Sequence, residues 1–408
     1  MSGTPGSARA ALTDDEAADF FGFAGTLTDA ERSKLAELRA LLDERVRPHL
    51  ADWWERAHTP VELRRDLAAL RLEDDPALLA DGDGDDPRPL FTGFKNFELA
   101  RCDLSTAMLY GGQVSMFRTL VRQGGSLTQV REMDARIRSF DLTGCFALTE
   151  PAHGSDVARG LETTATRHGD GPDATWTITG EKRWIGNADA SELLGVVAKD
   201  AADGRAKVFL VPRTAPGVEL EPITGKMSLR IVRNSNIRLN DVTVREADRL
   251  QGIDSFADLA RILGSLRADV VWFAAGMQAG ALEAARRYAM GRAQFGRPIA
   301  SYQLIQEKLA RMLGNTTATL ALAVSLTGLD ERGIRTEAQA AMSKLWSADR
   351  LRETVALARE TCGGEGITLA RDVGRFFADA EALYTYEGTR EINALIVGRE
   401  LTGIGAFV

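Results

Sequence analysis

The stretch "RILGSLRADVVWFAAGMQAGALEAARRYAM", from Arg261 to Met290, restricts the fold more than any other part of the chain. It holds no proline and is largely apolar. A helix that is apolar around most of its circumference has to be enclosed by other elements, so this one needs partner helices. Two candidates follow, "SYQLIQEKLARMLGNTTATLALAVSL" and "TEAQAAMSKLWSADRLRETVALARE". Residues 251–408 are therefore predicted to form a helix bundle.

The start of the chain is also helical. "LTDAERSKLAELRALLDERVRP" opens with Thr28 and Glu31 at capping-box spacing. It repeats Leu35, Leu38, Leu42 and Val46 at three- and four-residue steps and closes at Pro48. A polar "LLADGDGDDPRP" reads as a loop, and helical pattern resumes from Phe91 to Ser139. Residues 1–22, rich in Ser, Ala, Gly and Asp, are expected to be loosely held. Residues 23–140 are predicted as a helical domain. Between Asp141 and Val244 the pattern changes to "TWTITGEKRWI", "LLGVVAK", "KVFLVP" and "DVTV", short β-branched and aromatic runs punctuated by Gly, Asp and Pro. That predicts a compact β domain over residues 141–250. The fold class is α+β, mainly α, with helices, then strands, then a bundle.

Composition excludes several functions. A net charge of -8 argues against nucleic acid as a partner. The cysteines Cys102, Cys145 and Cys362 lie far apart, which is neither a disulfide framework nor a zinc spacing and suits a reducing compartment. His49, His58, His153 and His168 show no metal-ligand spacing, so no metal is expected. No signal peptide and no apolar run long enough to cross a bilayer are evident, and a cytoplasmic protein without a membrane is expected.

Five motifs carry more than structure: "GCFALTEPAHGSDV", "KRWIGNA", "RAQFGRPI", "CGGEGI" and "YTYEGTREIN". Singly, each has a plain structural reading. "CGGEGI" is a helix stop with glycines at the C-cap. Arg292 suits the dipole at a helix C-terminus. Trp184 packs on a sheet, Thr149 and Ser155 flank turn residues, and Glu387 is a solvated loop glutamate.

Together, in this order, they resemble the acyl-CoA dehydrogenase and oxidase superfamily from about Thr28 to Val408. The likeness is greatest to the branch of glutaryl-CoA dehydrogenases and short-chain acyl-CoA oxidases, which "YTYEGTREIN" and the later "GRELTGI" resemble. The resemblance implies an N-terminal helical domain, a middle β-barrel-like domain and a C-terminal four-helix bundle. It implies FAD as cofactor and α,β-desaturation of a short-chain acyl thioester, carried on CoA or on an acyl carrier protein. Glu387 matches the base that removes the Cα proton while the Cβ hydride goes to flavin N5. Its backbone N–H and the flavin ribityl chain polarise the thioester carbonyl in that family, as an oxyanion hole does.

The same resemblance places Phe146, Leu148 and Thr149 against the isoalloxazine, with Trp184 beside the ring. Ser155 falls on the flavin pyrophosphate or the CoA chain. Arg292, Phe295 and Gln303 match residues that reach the FAD of a neighbouring subunit, and Glu360, Gly363 and Gly364 match the stretch at its adenosine part. Thr389 and Glu391 follow the base into that region. Arg267 lies near the base or substrate, Tyr386 walls the base, and Gly388 lets the backbone approach the ligand. Some relatives carry the base at the position of Leu266, where no carboxylate competes here. Cofactor sites shared between subunits imply an obligate oligomer, a homotetramer above all.

Two departures bear on the reaction. Most dehydrogenases of the family have a threonine where "RWIGN" has Gly186, and that threonine donates to flavin N5. Its absence leaves room for oxygen, and the short-chain oxidases share "RWIGN". The acceptor is expected to be either oxygen or an electron-transferring flavoprotein, with the sequence leaning slightly to oxygen. The competing reading is that Gly186 suits a turn with φ > 0. The arginine that holds the distal carboxylate of a glutaryl chain falls at or near Ser105, so a glutaryl substrate is not expected. A flavin monooxygenase on the same fold is the alternative function. Glu387 argues against it, since those relatives have no use for the base.

Overall fold

The computed structural model describes residues 11–79 and 85–405. Residues 80–84, within the loop expected at "LLADGDGDDPRP", lie outside the described residues. The N-terminal helices include α1 (Asp14–Ala18), α2 (Asp29–Arg45), α3 (Pro89–Cys102), α4 (Leu104–Gly111), α5 (Arg118–Gly124) and α6 (Leu127–Arg138), with further short helical segments between α2 and α3. The expected capping box forms at α2: Glu31 N–H donates to Thr28 Oγ1 at 3.2 Å, and Thr28 N–H donates to Glu31 Oε2 at 2.8 Å. Leu35, Leu38, Leu42 and Val46 are all buried, each stabilising by about 1.5–3 kcal/mol relative to exposure.

Two details differ from the sequence reading. Residues 1–10 of the segment expected to be loose lie outside the described residues; the rest contains α1, which is capped by Thr13 and tied down by ion pairs from Asp15 to Arg101 at 2.7 Å and from Asp14 to Arg286 at 3.2 Å. Helical pattern over 91–139 is broken rather than continuous. Asp103 caps a new helix, and Gly112–Phe117 winds as a π-helix between α4 and α5.

The middle domain is one mixed sheet of β1 (Gly144–Ala147), β2 (Thr164–His168), β3 (Thr175–Gly186), β4 (Leu193–Asp200), β5 (Ala206–Pro212), β6 (Val218–Pro222) and β7 (Asn234–Arg245). Its order is β1-β4-β2-β3-β7-β6, with β5 paired to β4. β1 and β2 run parallel to β4, and the other pairs are antiparallel. The β3–β7 register shifts between Lys182 and Ile185, and Trp184 sits in that irregularity. Such irregularities re-aim side chains and recur beside active sites.

The C-terminal region consists of α7 (Phe256–Gly291), a two-strand hairpin β8 (Ala293–Gln294) and β9 (Arg297–Pro298), α8 (Gln303–Glu331), α9 (Glu337–Thr361), α10 (Val373–Thr385) and α11 (Arg390–Thr402). From Val270 to Leu282 every residue of α7 is buried, as its all-round apolarity requires. It crosses α3 at close range. A Cβ on Gly276 would lie 2.2 Å from Phe97 O, and one on Gly280 2.3 Å from Arg101 O, so neither position accepts a side chain. α8 is, by length and composition, apolar enough to cross a membrane, contrary to the sequence expectation. In this fold Met312, Leu320, Ala323 and Leu326 on it are buried in the helical core.

Candidate active site

Glu387 stands between two helices. α10 ends at Thr385, Tyr386 caps it, and Thr389 caps α11 by accepting from Ile392 N–H at 3.3 Å. The two residues between the caps, Glu387 (φ 55) and Gly388 (φ 84), are both left-handed. That backbone is rare for a glutamate and marks a site where the surroundings over-determine the conformation. Two side chains supply the restraint. Lys344, fully buried on α9, donates from Nζ to Tyr384 O and to Gly388 O, each at 2.9 Å. Asn393 Nδ2 donates to Gly388 O at 2.8 Å and to Thr389 O at 3.0 Å.

The electrostatics favour a base. Glu387 is half-buried. Burial raises its pKa above the ordinary carboxylate value, opposed by the charges of Arg267 and Lys344 and assisted by Asp269. Arg267 is buried on α7, donates to Glu337 Oε1 at 2.8 Å, and leaves its Nε without a partner. That Nε would lie 3.8 Å from a Cβ on Gly388. Burial lowers the Lys344 pKa to about 8, against the pull of Glu387. The Tyr386 hydroxyl is buried without a partner, and burial lifts its pKa well above 10.

The second group of expected residues lies on β1 and β3. Arg183 N–H donates to Thr149 O at 2.8 Å, and the Thr149 hydroxyl donates back to Arg183 O, so the chain after β1 runs beside Trp184. Buried Lys182 secures the same segment through Glu150 Oε1 at 2.7 Å and Leu148 O at 3.1 Å. Phe146 and Leu148 share an apolar cluster with Leu266, the residue before Arg267, which joins this sheet edge to the base side. Trp184 is left-handed (φ 66), with 53% of its surface exposed, and the Arg183 guanidinium lies 4.8 Å from its ring centroid. Asn187 is left-handed too, with a buried Oδ1 that has no partner. A strained, exposed indole beside an orphaned amide oxygen fits a bound planar cofactor.

Gly186 is outside the left-handed region, so the backbone does not require glycine there. A Cβ would meet only Asn234 Nδ2 at 3.8 Å. Ser155 sits on an exposed loop. Arg292, Phe295 and Gln303 are exposed around the β8–β9 hairpin, with Phe295 left-handed and 94% exposed at its tip. Glu360 is exposed and pairs with Lys308 on α8 at 2.8 Å. Gly363 (φ 58) and Gly364 end α9 on open surface, so the helix-stop reading of "CGGEGI" describes its local geometry. Glu391 is exposed on the first turn of α11.

Models of the acyl-CoA dehydrogenase middle domain and C-terminal domain match residues 145–242 and 256–402. The mitochondrial short-chain specific acyl-CoA dehydrogenase of Bos taurus is 30% identical over 74% of this chain and 74% of its own. The chain belongs to the acyl-CoA dehydrogenase family. A glutaryl-CoA dehydrogenase structure from Mycobacterium smegmatis is 34% identical, with a TM-score of 0.88 over 96% of this chain and 99% of that one. A second, in complex with FADH2, is 30% identical with a TM-score of 0.87 over the same shares. As an acyl-CoA dehydrogenase the protein is an FAD-dependent oxidoreductase acting on a CH–CH bond of acyl-CoA. The fold expectation also holds: N-terminal helices, a middle β half-barrel and a C-terminal helical domain.

Lys344, Asp269 and Asn393 escaped the sequence reading as site residues. Only Asn393 left a signal, as the last letter of "YTYEGTREIN". Lys344→Met is expected to lower kcat by about a hundredfold by releasing the base loop. It should also move the acid limb of kcat/KM to higher pH, because a positive charge that lowers the Glu387 pKa is lost. A pH–rate profile of the variant checks both.

Proposed function

We propose that the protein desaturates a short-chain acyl-CoA at Cα–Cβ, with Glu387 taking the Cα proton. The observation that carries this reading is the Glu387 carboxylate, enclosed, raised in pKa and fixed by Lys344 and Asn393 in a left-handed turn. FAD, when bound, supplies the hydride acceptor. Phe146, Leu148, Thr149, Trp184 and Asn187 would hold it at the sheet edge. Glu387 N–H has no acceptor among the described residues and is free to donate to the thioester carbonyl. Tyr386 and Leu266 exclude water from the base, which raises its proton affinity toward that of the activated Cα–H. Arg292, Phe295, Gln303, Glu360, Gly363 and Gly364 would serve a neighbouring subunit's cofactor in a homotetramer. The complete exposure of Phe295 on a strained turn supports that role.

For the electron acceptor, oxygen is favoured over electron-transferring flavoprotein. Gly186 tolerates a side chain by its backbone and surroundings, so the missing threonine is a property of the site and not of the turn. The test is stopped-flow absorbance of the holoenzyme, reduced anaerobically with butyryl-CoA and then mixed with air. Reoxidation within seconds, slowed at least about tenfold in Gly186→Thr, is the expected result. A flavin that stays reduced for minutes would instead require a protein acceptor. No reduction by any acyl-CoA would remove the desaturase reading itself.

A further inference from the structure

Asp269 lies two residues after Arg267 on α7, and among the described residues it forms no ion pair. The charge of Lys95 reaches it and opposes the rise in its pKa, but the Lys95 ammonium bonds Glu73 and not Asp269. Its carboxyl has only neutral partners. Asn96 Nδ2 donates to Oδ1 at 3.2 Å, and Ser115 lies close enough to lower the pKa of the same carboxyl. Asn96 is itself fully buried, with its Oδ1 unpartnered. Burial lifts the Asp269 pKa to about 6, and its charge contributes to the raised pKa of Glu387, so the two carboxylates are within electrostatic reach. A largely enclosed carboxylate that no cation bonds directly is costly, and groups of this kind concentrate at functional sites.

Its surroundings have the form of a ligand wall. Ser115 belongs to the π-helical turn, a conformation that recurs at functional sites. On that turn Gly112, Ser115 and Met116, and Met108 on α4 before it, keep accessible surface while most of their neighbours are buried. On α7, Ala268 and Asp269 do the same just before full burial begins at Val270. A Cβ on Gly111 would lie 3.5 Å from Phe273, so the two elements pack together, and one on Gly112 would lie 3.4 Å from Asn187 Nδ2. The accessible strip therefore leads from the "RWIGN" loop to Asp269.

We propose that Asp269, with Asn96 and Ser115, forms the polar end of the acyl site and selects a short acyl chain bearing a hydrogen-bond donor. The donor is a hydroxyl or an ammonium group; plain and carboxylate-ended chains are disfavoured. The inference rests on the desaturase reading of Glu387. A donor on the acyl chain gives the carboxylate the partner that the protein withholds. A glutaryl chain brings a second negative charge toward the Asp269 carboxylate, which repels it.

The test is calorimetric binding of acyl-CoAs to the FAD-loaded Glu387→Gln variant, which removes turnover from the measurement. The probes are butyryl-, 4-hydroxybutyryl-, 4-aminobutyryl- and glutaryl-CoA. At least one donor-bearing chain is expected to bind about tenfold to a hundredfold more tightly than butyryl-CoA, with glutaryl-CoA weakest. Adding Asp269→Leu should reverse the order in favour of butyryl-CoA. Adding the near-isosteric Asp269→Asn should abolish a preference for the ammonium while retaining one for the hydroxyl, and it serves if the leucine variant does not fold. Equal binding of butyryl and donor-bearing chains, or a preference that survives both substitutions, overturns the proposal. Turnover of butyryl-CoA by the unaltered enzyme separates the cases. With turnover, only the role of Asp269 falls; with no acyl-CoA bound or turned over, the desaturase reading falls and takes the proposal with it.

Discussion

Glu387→Gln is expected to lower kcat for acyl-CoA desaturation by about a thousandfold or more, leaving FAD content and acyl-CoA binding nearly unchanged. The chemical reason is direct: an amide of the same shape cannot accept the Cα proton at working pH. The structural reason for unchanged binding is that the turn is held through backbone carbonyls. Lys344 and Asn393 bond Tyr384 O, Gly388 O and Thr389 O, and none of these bonds uses the Glu387 side chain. Loss of activity with retained binding therefore isolates proton transfer. In the unaltered enzyme the base acts ionised and its pKa is raised. Activity should accordingly fall as pH drops through a value above the ordinary carboxylate range. A variant that keeps a tenth of the wild-type rate would place the base elsewhere, and Leu266 and its neighbours on α7 offer no carboxylate closer than Asp269.

The elements whose period extends over several turns were legible in the sequence. α2 forms with the capping box that Thr28 and Glu31 announce, and α7 is enclosed because its apolarity leaves no solvent face. The break at Asp103 and the π-helical turn at Gly112–Phe117 were not legible, because both depend on tertiary partners that no local pattern records. The site divides in the same way. Glu387 stood out through the tyrosines and glycine around it, features of its own segment. Lys344 and Asp269 sit on helices of ordinary appearance, "AAMSKLW" and "LRADVVW"; the fold is what brings the Lys344 ammonium onto the Glu387 loop and the Asp269 charge within reach of Glu387. Gly186 shows the opposite case. The sequence left open whether it served a turn, and its φ removed that explanation.

Arg375→Leu is expected to destabilise the protein by about 3–5 kcal/mol, read as a lower urea midpoint. Arg375 is fully buried on α10 and bonds Asp103 Oδ2 at 2.5 Å and Asp372 Oδ1 at 2.6 Å. Asp103 is also fully buried, and its Oδ1 caps α4 by accepting from Thr106 N–H at 2.8 Å. Without the guanidinium, its charge stays in the interior unpaired, which costs more than the pair contributed. Asp379 lies in the same cluster, where burial and the Asp103 charge push its pKa up to about 8 while Arg375 opposes them. It accepts from Leu229 N–H at 2.6 Å, so the cluster ties the N-terminal helices, the middle domain and α10 together. The folded pKa of Asp379 lies above its unfolded value of 3.8, so stability from this group declines as pH rises from about 4 toward 8. Losing Arg375 raises that pKa further. Because asparagine also caps helices, Asp103→Asn in the Arg375→Leu background removes the stranded charge and keeps the cap. The double variant should recover most of the lost stability, a coupling that a merely steric role for Arg375 would not produce. α10 runs directly into Tyr386 and Glu387, so the cluster anchors the helix from which the Glu387–Gly388 turn departs.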